Sequence, residues 1–440
     1  MSSRLSSPWR AVVGFGVVSL AADMVYEGAR SVTGPLLASL GATALVVGLV
    51  TGAGEAVALV LRLFSGSLAD RTGRYWTLTL VGYGLTAVCV PLLAVAPFLG
   101  AAGLGVAVVL VLAERTGKAI RSPAKSALLA RAAAGVGMGR GLGVHKALDQ
   151  IGAFAGPLLV AGVAALTGAL WPALAVLVVP GAGAMVLLLW VRSRTEPRAS
   201  AVPTSRGSVP APPVPAPATG APLPAQDAPA AAAGAPVPAQ PDPAPVGASS
   251  VPVSRQRLPR TFWLFAASAG AATAGLVTFG VISFHLTQDR VVPVALVPVV
   301  YAGAMAVGAV AALVTGWLYD RLAGRVLLVL PLLVTAVPLL AFADHPLPAV
   351  AGVLVWGAAV GVQDSSVKAL VADLVPAPRR ATAYGSFAAV QGGAAVLGGA
   401  AAGWLSSRSV PALVALVAAT QLVALALLLA TLRGSARPLR

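Results

Sequence analysis

Long apolar runs separated by short polar breaks organise this chain, and within the runs no period of two is visible. Each run has about 20 or more residues, mostly Ala, Val, Leu and Gly, which as a helix crosses a hydrocarbon core of about 30 Å. Strands of an outer-membrane barrel would alternate apolar and polar side chains, and these runs do not. The pattern predicts twelve helices, at 10–39, 43–65, 75–96, 99–122, 139–166 and 169–192, then 260–287, 293–319, 325–343, 347–373, 380–406 and 410–433. The first run extends to about Leu40 and carries Asp23, Glu27 and Arg30, so it reads as a spanning helix and not as a cleaved signal. Between the two sets lies 193–259, with phrases such as Pro210-Ala-Pro-Pro-Val-Pro-Ala-Pro217. Such a stretch cannot bond its backbone regularly or bury a core, and it reads as a disordered linker. The expected architecture is an all-α membrane protein: a six-helix bundle in 1–192, the linker in 193–259, and a pseudo-symmetric six-helix bundle in 260–440.

Composition sharpens this picture. Of the 440 residues 58% are hydrophobic and 10% charged, with a mean hydropathy of +0.88, against about 25% charged in soluble domains. The 48 glycines suit close helix contact in lipid. The net charge of +16 would suggest nucleic acid in a soluble protein. Here the arginines cluster in the breaks on one side: Arg4 and Arg10, Arg71 and Arg74, Arg131 and Arg140, Arg321 and Arg325, Arg379 and Arg380, and the C-terminal Arg433, Arg437 and Arg440. Only Arg290 and Arg408 fall on the other. The positive-inside rule then places both termini and the linker in the cytoplasm of an inner-membrane protein, and no nucleic-acid partner is expected. Cys89, alone in an apolar run, fits neither a disulfide nor a metal spacing. No metal or cofactor is expected, and no phosphate-binding loop of an ATPase is present.

A repeat underlies the pattern. Gly66-Ser-Leu-Ala-Asp70-Arg71-Thr-Gly73-Arg74 returns 250 positions later as Gly316-Trp-Leu-Tyr-Asp320-Arg321-Leu-Ala-Gly324-Arg325. Ala127-Leu-Leu-Ala130 matches Ala369-Leu-Val-Ala372, and Gly143 and Gly156 match Gly385 and Gly398, at an offset of 242. A duplicated membrane bundle is the signature of a transporter.

These residues resemble the major facilitator superfamily. Gly66, Asp70, Arg71, Gly73 and Arg74 satisfy the family's Gly-x-x-x-Asp-Arg-x-Gly-Arg pattern between helices 2 and 3; the second copy, with Asp320 and Arg321, has one extra residue. The resemblance implies that these loops latch the two halves on the cytoplasmic side. Proton-driven drug exporters carry Gly-x-x-x-Gly-Pro-x-x-Gly-Gly in helix 5. Gly152, Gly156 and Pro157 match it, while Val160 and Ala161 replace the last two glycines, so the segment also reads as a small-residue seam with a proline bend.

Ionisable groups at membrane depth are the candidate machinery, because each costs about 2.5–3.5 kcal/mol near a helix centre on insertion scales. Asp23, Glu27 and Arg30 share one face of helix 1. Helix 2 carries Glu55 and Arg62, and Arg62 can snorkel to the cytoplasmic edge. Helix 4 carries Glu114, Arg115, Lys118, Arg121 and Lys125, with the last two read as interface anchors. In helix 5, His145 and Asp149 lie one turn apart and can hydrogen-bond, beside Lys146 and Gln150. The second half is leaner: Gln363, Asp364 and Lys368 in helix 10, and Gln391 where the repeat would place Asp149. Acids and bases nearly balance, so the sequence assigns no charge to the solute.

The expected function is secondary active transport of a small solute, without enzymatic activity. The expected unit is a monomer in the bilayer, coupled to protons and exporting or antiporting. Import, sodium symport, a membrane enzyme and a non-transporting receptor are the rival readings.

Overall fold

The computed structural model describes residues 8–195, 258–376 and 379–435. Among them the chain is helical, without strands: α1 (Pro8–Ser39), α2 (Ala44–Thr72), α3 (Tyr75–Leu92), α4 (Gly103–Ala134), α5 (Met138–Thr167), α6 (Leu170–Ala175), α7 (Val178–Thr195), α8 (Arg260–Gly275), α9 (Phe279–Gln288), α10 (Val297–Leu322), α11 (Val329–Ala341), α12 (Pro346–Leu374), α13 (Arg380–Ser406) and α14 (Val410–Ser435). The segment expected to be a linker lies outside the described residues, apart from its two ends.

Eleven of the described segments are long and apolar enough to span a membrane. One of them, Val294–Ala341, has 48 residues, more than twice what a bilayer needs. It breaks at Ala323, whose φ is +48°, and α10 and α11 lie on either side of that break. Counting it as two crossings gives the expected twelve. Large apolar side chains such as Leu166, Leu313 and Leu347 stand exposed. In water that surface would aggregate; lipid covers it.

Several boundaries differ from expectation. α2 does not stop at 65 but runs to Thr72, closed by Gly73 at φ +63°. Gly66, Asp70 and Arg71 are therefore helical, and only Gly73 and Arg74 form the break before α3. In the second copy Asp320 and Arg321 likewise occupy the last turn of α10. α4 runs to Ala134 instead of 122, so Arg121 and Lys125 lie well inside it. The sixth span is divided into α6 and α7, and the seventh into α8 and α9. At the second division the indole Nε1 of buried Trp356 donates to the carbonyl of Val277 at 2.9 Å, satisfying a backbone group that the broken helix leaves without an intrahelical partner.

The duplication is visible in packing. A Cβ at Gly156 on α5 would strike the carbonyl of Met24 on α1, and one at Gly398 on α13 would strike that of Ala274 on α8. The two contacts are related by the same offsets, 242 and 250, that the sequence shows. Each half's fifth span thus lies against its first with only glycine between the backbones. Gly152 makes the same approach to Leu20 one turn earlier. α5 continues through Pro157 to Thr167.

The two halves meet along α2 and α13 and along α1 and α9. Backbones touch where Gly48 faces Gly399, Gly52 faces Ala395, Gly403 faces Ala44, and Gly34 faces Gly280. Thr51 and Thr278 share a hydrogen bond of 2.8 Å across the same seam. All of these lie toward the end of the bundle opposite the chain termini. Toward the termini the seam loosens: the nearest neighbour of a Cβ at Gly385 is a Leu63 methyl at 3.8 Å.

Candidate functional site

A chain of ionic contacts crosses the first half at mid-helix depth. It begins on α1, where Arg30 donates from Nη2 to Glu55 Oε1 of α2 at 2.9 Å and approaches Glu27 at 3.9 Å. Glu27 accepts a short hydrogen bond from the hydroxyl of Tyr301 on α10, a side-chain contact from one half to the other. Arg115 on α4 reaches Glu55 and Glu114, each at 3.8 Å. Glu114 also accepts from the Thr86 hydroxyl at 3.3 Å. The Tyr26 ring carries the Lys118 ammonium at 3.4 Å and the Arg115 guanidinium at 4.7 Å.

A second cluster lies closer to the termini. Asp149 on α5 accepts from Ser19 at 2.7 Å and from Lys146 at 2.9 Å, with Lys125 at 4.0 Å. Lys125 in turn donates to Ser19 at 3.0 Å. Asp23 lies within hydrogen-bonding reach of Asp149 and 4.0 Å from Arg121. Arg121, buried, donates to Thr86 and stacks on Tyr83 at 4.5 Å. The two clusters are joined through Thr86, which touches both Arg121 and Glu114.

The structure therefore brings together Asp23, Glu27, Arg30, Glu55, Glu114, Arg115, Lys118, Lys146 and Asp149, from four helices. Of the three residues on helix 1, Glu27 and Arg30 pair at 3.9 Å as their shared face suggested, while Asp23 joins the other cluster. His145 is buried, but its Nε2 has no hydrogen-bond partner, and the expected bond to Asp149 is not formed because Ser19 and the two lysines occupy that carboxylate. Arg121 and Lys125 are not interface anchors; α4 is longer than the sequence suggested, and both point into the second cluster. Arg62 is half-buried, and its Nε is buried without a hydrogen bond.

In the second half Gln363 and Gln391 both donate to Thr273 Oγ1, at 3.1 and 3.3 Å. Asp364 is exposed and acts electrostatically on Arg30, Arg62 and Lys146 of the first half. The side chain of Lys368 lies outside the described set. At the two loop signatures, Asp70 accepts from Tyr75 at 3.1 Å, and Arg321 lies over Trp317 at 3.8 Å.

Sequence reasoning missed Ser19, Tyr26, Tyr83, Thr86, Thr273 and Tyr301. Ser19 and Tyr26 had a signal, lying one turn on either side of Asp23. Tyr301 had none, since it meets Glu27 across 274 positions of sequence.

The chain matches the Major Facilitator Superfamily over residues 15–330 and 264–439. It is 49% identical over 425 residues to an uncharacterized protein of Mycobacterium tuberculosis (strain ATCC 25618 / H37Rv), covering 96% of this chain and 93% of that protein. An uncharacterized protein of Mycobacterium bovis matches to the same extent. Among solved structures it is similar to the nucleoside transporter NupG (TM-score 0.61, 13% identity, 97% of this chain and 100% of that one). It is also similar to a peptide transporter POT in complex with sulfate (TM-score 0.65, 15% identity, 97% and 94%). A bacterial homologue of the human lysosomal transporter Spinster, inward-facing and occupied, gives a TM-score of 0.59 at 15% identity, covering 99% and 96%. These identities establish a shared fold and no shared substrate. By its repeat, its twelve crossings and its match along almost the whole length, the chain belongs to the Major Facilitator Superfamily, a family of membrane transporters.

Proposed function

We propose that this protein is a proton-coupled secondary transporter of a small solute, working by alternating access between bundles 1–192 and 260–440. The carrying observation is the acid pair Asp23 and Asp149, held at membrane depth among Ser19, Lys125, Lys146 and Arg121. Two carboxyl groups within hydrogen-bonding reach favour a shared proton, since both cannot be charged there without strong repulsion. Gain of a proton weakens the hold of Lys125 and Lys146 on Asp149, and loss restores it. That is a local charge change beside the α1–α5 seam, where glycines let helices slide or rock. The Glu27–Tyr301 bond supplies the link by which such a change reaches the other half.

The one-sided arginines support cytoplasmic termini in an inner membrane. With that orientation the tight seam is external and the conformer described here is closed to the outside. One chain carries both bundles and the whole cluster, which supports a monomer as the working unit. Export or antiport is the favoured direction, resting on the helix 5 resemblance through Gly152, Gly156 and Pro157. In that reading Gly66, Asp70 and Arg71 at the end of α2, Gly73 and Arg74 just after it, and Asp320 and Arg321 at the end of α10 engage when the cytoplasmic side closes.

The test is flux in proteoliposomes under an imposed pH gradient, with Asp149→Asn beside the unchanged protein. Gradient-driven flux that the substitution abolishes is expected. Flux that follows a sodium gradient alone, or survives Asp149→Asn and Asp23→Asn unchanged, would overturn proton coupling through this pair.

A further inference from the structure

The end of the bundle that carries the chain termini holds a cavity apart from both ionic clusters. α1 runs away from that end and α7 returns to it alongside. Gly14 lets the two helices close up: a Cβ there would lie 2.7 Å from a Val191 methyl and 3.9 Å from the Trp190 ring. One turn nearer the end stands Arg10 on α1, and one turn nearer the end on α7 stands Arg194. The antiparallel pair therefore brings both arginines to one depth. They line a single open cavity of about 340 Å³, together with Ala11, Trp190, Val191 and Thr195. The Arg194 guanidinium lies over the Trp190 ring at 5.7 Å.

Neither arginine has a carboxylate within 4.0 Å among the described residues. α7 contains no acid. The first acid of α1 is Asp23, about 20 Å further along the helix at 1.5 Å per residue. Glu196, which follows α7, lies outside the described residues. On the flank of the same two helices Val13, Val186 and Leu189 stand exposed, a surface that lipid covers. Trp190 is 46% exposed, and its amphipathic ring suits the headgroup level of a bilayer. The cavity thus lies where an apolar, lipid-facing flank meets a pair of cations. A phosphodiester with acyl chains fits both parts. Its free oxygens can accept from two guanidinium forks at once, and its chains continue along the flank. A zwitterionic headgroup would bring an ammonium to walls that hold two arginines and no acid, so an anionic headgroup fits better.

We infer that this cavity binds the phosphodiester headgroup of an anionic phospholipid, held between Arg10 and Arg194 with its chains along Val13, Val186 and Leu189. The site lies apart from the transport cleft, and binding there does not depend on any flux.

The test uses the full chain purified in a neutral detergent, with phosphatidylglycerol, phosphatidylcholine of the same acyl chains, and inorganic phosphate as separate probes. Native mass spectrometry reads bound lipid, and the melting temperature reads stabilisation. Phosphatidylglycerol is expected to bind at least about tenfold more tightly than phosphatidylcholine. Arg10→Gln and Arg194→Gln should each weaken phosphatidylglycerol by about fivefold, the share of one arginine beside an anionic headgroup. Arg10→Lys keeps the charge and should keep most of the affinity. Arg433→Gln removes the same charge from the last turn of α14 and should leave the affinity unchanged. Arg10 and Arg194 are exposed, so the lipid-free melting temperature of their variants should match that of the unchanged protein. Equal affinity for the two lipids would overturn the site, as would a loss in Arg433→Gln as large as in the cavity variants. Inorganic phosphate that stabilises the protein as strongly as phosphatidylglycerol, through the same two arginines, would overturn the lipid as the ligand.

Discussion

Gly156 and Gly398 make the same contact in the two halves, each against the backbone of its half's first span. Seven residues earlier on the same helices the halves part company: Asp149 stands in one, Gln391 in the other. Around Asp149 gather Asp23, Lys125 and Lys146. Around Gln391 gather Thr273 and Gln363, all neutral. A duplicated scaffold fixes where the backbones must touch, since a Cβ at either glycine would collide with a carbonyl. It does not fix what faces the cleft, so one half is free to carry charge while the other supplies neutral hydrogen bonds and the aromatic group of Phe279, Tyr301 and Trp356.

The comparison can be broken most severely at the acid. Asp149→Asn makes the two halves alike at this position and should abolish proton-driven flux in proteoliposomes while leaving the protein folded in detergent. Next comes the seam that joins the halves. Gly399→Leu puts a side chain where the carbonyl of Gly48 now lies, with overpacking of about 1–3 kcal/mol or more, and should hold that end apart. A cysteine at Thr51, with Cys89→Ser, should then react with a membrane-impermeant thiol reagent that leaves the unmodified seam alone.

The cross-half link comes third. Tyr301→Phe removes a hydrogen bond to a carboxylate, about 1.5–3 kcal/mol, and should lower coupled flux by about tenfold with solute binding less affected. The neutral half gives the smallest effect. Thr273→Val removes an acceptor shared by two glutamines, about 1 kcal/mol each at most, and a rise of KM by about fivefold is expected. An effect of Thr273→Val equal to that of Asp149→Asn would show that the charge difference between halves is not what matters.

Much of the scaffold was legible in sequence. The Asp70-Arg71 and Asp320-Arg321 signatures and the Gly156 and Gly398 pair located both halves, because membrane spans announce themselves by length and glycine seams by spacing. The charged residues on α1, α2, α4 and α5 were also legible, since charge at membrane depth is rare enough to stand out. Their partners were not. His145 and Asp149 were one turn apart and looked like a pair, yet Ser19 and two lysines took the carboxylate. Arg121 and Lys125 looked like edge residues because the end of α4 carries no strong stop signal.

The amino-acid order by itself determined that this chain must live in lipid, that it folds twice over the same plan, and which costly groups it buries. Those follow from hydrophobicity and periodicity, which act along the chain. Only the tertiary structure decided that Glu27 meets Tyr301, that Asp23 faces Asp149, and that Lys118 lies over the Tyr26 ring. Ion pairing at a few ångströms depends on helix rotation and depth, and these are set by backbone contacts between residues hundreds of positions apart.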